Sequence, residues 1–170
     1  MRDMAIVKAT YTKQAGGAKA SIRYMQHRPG KDGGKASRTL FGSDGLMGRY
    51  QAYRMIDEAD KGSHFFRFVI SPDPKGEDSG RDLFLREITE QTVQTLEERL
   101  RYHVSWVAVE HDDHAPHRHV HVLAIVPQRL QVQDFKAMRQ TATDAALFQR
   151  KERDLIREHQ REREEAQWGY

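Results

Sequence analysis

The chain has 170 residues, enough for one domain with a real core, and its 38% hydrophobic and 31% charged residues make it polar for a globular protein. It contains no cysteine, which excludes disulfides, thiolate metal sites and a cysteine nucleophile and fits a cytoplasmic protein. The formal charge of +3 is a weak pointer to nucleic acid, no apolar run reaches membrane-spanning length, and Met1–Val7 lacks the apolar core of a signal peptide.

Met4–Thr12 reads as a strand: Ala5, Val7, Ala9 and Tyr11 alternate with Ile6, Lys8, Thr10 and Thr12. Gly16 and Gly17 are expected to break it, and Ala18–His27 follows as a short helix with Ile22 and Met25 on one side. Arg28–Arg38 is a basic, glycine-rich loop. With Arg23, its cations Arg28, Lys31, Lys35 and Arg38 are candidates to lie along a nucleic-acid backbone, where mobile Lys and Arg supply non-specific affinity. Gly45–Ala59 reads as a packing helix through Leu46, Tyr50, Tyr53 and Ile56, and His64–Ser71 as a buried strand. Pro72–Gly80 is a loop, and Asp82 is placed to cap a helix over Leu83–Arg101. The last element, Phe135–Gln167, is helical with Asp134 as cap, and Trp168 is placed to dock it back. From Gln149 it alternates basic and acidic residues with almost no apolar stripe. The expected organisation is a domain over residues 1–148 and a charged helical extension over 149–170. The element order fits an α+β class, an antiparallel sheet with helices packed on it.

Between those helices, Val104–Val109 and Val122–Val126 flank a stretch that holds five of the nine histidines: His111, His114, His117, His119 and His121. Asp112, Asp113 and Pro116 supply turn chemistry, so the stretch reads as a β-hairpin with histidines at its turn end. Side chains alternate along a strand, which puts His117, His119 and His121 on one face. Neighbours two apart lie roughly 7 Å from each other, near enough to converge on one metal ion, whereas His117 and His121 are roughly 13 Å apart and cannot share one. His111 on the facing strand is the best third ligand. A tight turn sets it with His117 and His119, a wider one with His119 and His121. Three neutral nitrogens with coordination positions left open suit a catalytic ion better than a structural one.

His119-Val120-His121 is a His-hydrophobe-His signature, and the stretch from His111 through Asp113 to His121 resembles the third motif of conjugative relaxases, the mobilisation nucleases of the His-hydrophobe-His endonuclease superfamily. Ala18–Arg28 resembles the segment that carries the relaxase tyrosine, and His64–His111 resembles the region between the two motifs, so the likeness covers roughly residues 5–130. The interval from His111 to the pair is about one residue longer than the usual motif. The resemblance implies His111, His119 and His121 as ligands of Mg²⁺ or Mn²⁺, with Zn²⁺ or Ni²⁺ as ions acquired in purification. It implies Asp113 as the acidic residue that orients a histidine or helps take a proton. It also implies a palm of antiparallel strands and a tyrosine that nicks a transfer-origin strand and stays joined to its 5′-phosphate, in company with accessory proteins. In relaxases that tyrosine precedes the histidine motif, whereas replication initiators usually place it after, where this chain has only Tyr170. Tyr24 is the expected nucleophile, flanked by Arg23 and Arg28 with His27 one turn away; Tyr11 and His27 are the alternatives. A metal-dependent single-stranded DNA-binding module without catalysis, and a replication initiator or transposase of the same superfamily, are the other readings of these residues.

Overall fold

The computed structural model describes residues 5–30, 33–34, 37–112 and 117–169, with backbone alone for residues 5–8. Lys31, Lys35 and Asp113, expected as DNA and catalytic residues, lie outside the described residues, as does His114.

Six strands form one antiparallel sheet: β1 (Ala5–Thr12), β2 (Leu40–Gly42), β3 (Gly45–Met47), β4 (His64–Ser71), β5 (Ser105–His111) and β6 (His119–Val126), in spatial order β1-β4-β6-β5-β2-β3. Four helices cover it: α1 (Ala15–His27), α2 (Arg49–Asp57), α3 (Leu85–Leu100) and α4 (Val132–Trp168). The fold is α+β. Alternate residues of β4, β5 and β6 feed two cores. Phe66, Phe68, Trp106, Val120 and Val122 pack under α3 and α4. Phe65, Val107, Val109, Leu123 and Ile125 pack under α1 and α2. Helices on both faces explain why β6 is almost continuously apolar instead of alternating.

The structure departs from the sequence expectations in several places. Gly16 and Gly17 do not break the chain; they sit in the first turn of α1, which starts at Ala15. A Cβ on Gly17 would lie 3.2 Å from the Thr12 hydroxyl, so glycine there lets the helix pass close over β1. Residues 45–48 are not helical. Gly45, at φ +100°, turns the short β2–β3 hairpin, and α2 begins only at Arg49. Asp82 does not cap α3, whose N-cap position is Phe84. Its carboxylate instead takes the guanidinium of Arg150 at 2.7 Å and that of Arg157 at 2.9 Å, while the Phe84 N–H donates to Gln149 Oε1. Trp168 does not dock: it is 77% exposed.

Helix α4 begins one turn before the expected Phe135. Gln131 is its N-cap, and Asp134 sits at N3, where it accepts the Gln131 backbone N–H at 2.8 Å in a capping box. The helix runs unbroken through residues 148–149, with Gln149 and Arg150 buried and 151–168 almost wholly exposed.

Candidate metal centre

The site stands at the end of the β5–β6 hairpin. His111 pairs directly with His119, and Val109 with His121, so the turn is the wide one. Paired residues of antiparallel strands share a face, which puts His111, His119 and His121 together on the α1 side. Their ring centroids lie 4.4 to 5.2 Å apart, and one ligand nitrogen from each falls within 4.8 Å of the others. His117 lies just outside β6, its ring 6.3 Å from that of His119 and its carbonyl 3.3 Å from His119 Nδ1.

The local chemistry fits a divalent cation. His111 is fully buried, and its Nε2–H donates to the Met25 carbonyl at 2.8 Å, which fixes the tautomer and leaves Nδ1 as a bare acceptor. That Nδ1 is buried and has no hydrogen-bond partner among the described residues. A buried lone pair left unmet is costly unless something binds it. A ligand histidine characteristically gives its other ring N–H to a carbonyl, the arrangement seen here. His119 Nε2 and His121 Nε2 stand 3.2 Å apart, near the roughly 3.4 Å separating two nitrogens about 2.1 Å from one tetrahedral ion. Burial pushes the His111 imidazole down to about 4, with Arg38 and Arg28 adding repulsion. Burial pushes His121 down to about 3, helped by the other two histidines and then by the same two arginines. Both rings are therefore neutral at neutral pH, with lone pairs available. Neutral nitrogen donors suit Mn²⁺, Zn²⁺ or Ni²⁺ better than Mg²⁺.

Helix α1 brings the tyrosine. Its buried stripe is Ala18, Ser21, Ile22 and Met25. One flank carries Lys19, 2.7 Å from Asp57 of α2. The opposite flank carries Gly17, against Thr12 of β1, and about two turns on it carries Tyr24, with Arg28 at the C-cap about one turn further. The Arg28 guanidinium lies 5.9 Å over the Tyr24 ring, and Tyr24 is 57% exposed next to Met25, the residue that holds His111. Tyr24 therefore lies exposed on the helix whose last turn holds His111. Tyr11 does not lie there. It pairs with Phe66 and rests on His64 and Phe66, on the α3–α4 side of the sheet. His27 lies at the exposed end of α1, with Arg49 at 3.4 Å. Arg23 is exposed on the outer side of α1, away from the Tyr24 flank. Arg38 donates to the Arg28 carbonyl at 2.7 Å and to Gln26, tying the end of the basic loop to the C-terminus of α1.

Arg118, not singled out from sequence, anchors the hairpin from the other face. Its guanidinium takes the buried Asp78 carboxylate through two contacts of 2.8 and 2.9 Å, Glu110 at 3.2 Å and the Leu83 carbonyl at 2.9 Å. The signal was available: a residue between His117 and His119 on one strand must face away from them. Comparison with protein-family models, curated proteins and solved structures gives no match.

Proposed function

We propose that this chain is a DNA relaxase: it nicks and rejoins one strand of transfer-origin DNA through a covalent 5′-phosphotyrosyl bond on Tyr24. The observation that carries the reading is the meeting of three convergent histidine nitrogens, one of them buried and unmet, with an exposed tyrosine on the helix that fixes the first histidine. His111, His119 and His121 hold a divalent ion, which supplies Lewis-acid polarisation of a phosphoryl oxygen.

Tyr24 Oη loses its proton and forms a bond to the phosphorus as the P–O3′ bond breaks. The departing 3′ oxygen takes up a proton, and the phosphate ends on tyrosine. Arg28, stacked over the Tyr24 ring, favours the phenolate and the approach of a phosphodiester. The exchange conserves the ester bond, so the 3′-hydroxyl reverses it without a nucleotide energy source. The partner is single-stranded DNA of a transfer origin, with accessory relaxosome proteins. The test is incubation with single-stranded transfer-origin oligonucleotides and Mn²⁺, followed by denaturing electrophoresis. A protein–DNA band that EDTA prevents is expected. Binding without any such band would leave the chain a metal-dependent DNA-binding module.

A further inference from the structure

Helix α1 crosses the sheet obliquely. It starts against Thr12 at the far end of β1 and finishes at Met25 against His111. The triangle that the described residues leave uncovered lies on the histidine face, over β4 and β1. Val69 of β4 pairs directly with His121 and is half-buried. Arg67, two residues along and roughly 7 Å away, points to the same face and is exposed. Thr10 of β1, paired with Arg67, is exposed too and accepts a hydrogen bond from Arg67 Nη2 at 3.1 Å. The flank of α1 that borders this triangle is the one carrying Tyr24 and Arg28. The result is a groove with a strand floor and a helix wall, and it opens onto the histidines.

Some arginines of the fold are already neutralised in place. Arg99, Arg118 and Arg150 each grip a carboxylate. Among the described residues neither Arg28 nor Arg67 has a carboxylate partner. A guanidinium offers five N–H donors in a planar fork, and Thr10 occupies one donor direction of Arg67. Two arginines without carboxylate partners, one on the floor and one on the wall of a groove beside a metal centre, match a chain of phosphates.

We infer that this uncovered corner of the sheet is the track for the sugar-phosphate backbone of single-stranded DNA, with Arg67 touching a phosphate. The inference deepens the relaxase reading and rests on its substrate class, though not on its covalent step. Thr10 sets the direction of the Arg67 fork, and Val69 gives the track an apolar patch next to His121.

The test measures oligonucleotide affinity of the whole chain against salt concentration for wild type, Arg67→Gln and Arg139→Gln. Arg139 is an exposed arginine of α4, on the opposite face of the sheet, and controls for removal of one charge anywhere. Arg67→Gln should weaken binding and flatten the log–log salt slope by about 0.7, the change for one fewer phosphate neutralised on a single strand. Arg139→Gln should leave the slope unchanged. Equal slopes for all three proteins, or equal weakening in the two variants, would overturn the track. Equal weakening of poly-glutamate binding by Arg67→Gln would reassign the groove to acidic polypeptides and likewise overturn it. The slope change without any covalent adduct would keep the track and remove the relaxase chemistry.

Discussion

The two faces of the β5–β6 hairpin end are built from alternate residues of one short stretch, yet they do opposite things with polarity. On one face Arg118 meets Asp78, Glu110 and a carbonyl, so its charge is matched from several sides. On the other, His111 is fully buried, with one nitrogen anchored and the other unmet. Satisfied polar groups fix a structure, and an unsatisfied one held in a rigid setting is available for a ligand. The scaffold face and the ligand face are one strand step apart.

The contrast is tested most severely on the ligand face. His119→Ala or His121→Ala should reduce Mn²⁺ affinity by more than about 100-fold, measured by calorimetry, with the circular dichroism spectrum unchanged. His117→Ala should cost far less, since its carbonyl, which the substitution keeps, is the group nearest His119. The reverse order of effects would mean that the ligand set is one strand step out.

On the scaffold face Arg118→Ala leaves the Asp78 carboxylate buried without its cation, a change that typically costs about 3–5 kcal/mol. Urea unfolding should show it, and the double variant Arg118→Met, Asp78→Leu should recover part of the stability. Equal stability of Arg118→Ala and wild type would remove the distinction between the faces. A smaller effect belongs to Asp82, where the hydrogen bond from Arg150 holds the carboxyl below its ordinary value. A depressed folded-state value means that the stabilisation is complete above the unfolded carboxylate value and fades as pH falls through the folded one. The stability gap between wild type and Asp82→Asn should therefore be constant near neutrality and close in acid. The smallest expected change is in the stability of Tyr24→Phe, within about 0.5 kcal/mol of wild type because the side chain is mostly exposed.

How much of this was legible depends on where each determinant lies in the chain. The hairpin could be read because alternation and turn residues are local, and the convergence of His111, His119 and His121 followed once a wide turn was allowed. The register itself was not decidable from spacing, because a change in the turn shifts every cross-strand pair. The β2–β3 hairpin was hidden: three-residue strands carry too little alternation, and Leu46 with Tyr50 imitates a helical period. Asp82 looked like a cap because capping is local, whereas its actual partners, Arg150 and Arg157, are 68 and 75 residues away. The Arg118–Asp78 pair, 40 residues apart, was invisible for the same reason.

Whether Tyr24 reacts in the setting formed by His111, His119 and His121 is decided by proteolysis and mass spectrometry. The sample is protein trapped with a single-stranded transfer-origin oligonucleotide and Mn²⁺, as wild type and as Tyr24→Phe. Nucleotide mass is expected on the wild-type peptide containing Tyr24, and none in the variant. Nucleotide mass on Tyr11 or His27, or an adduct that persists in Tyr24→Phe, would contradict the assignment.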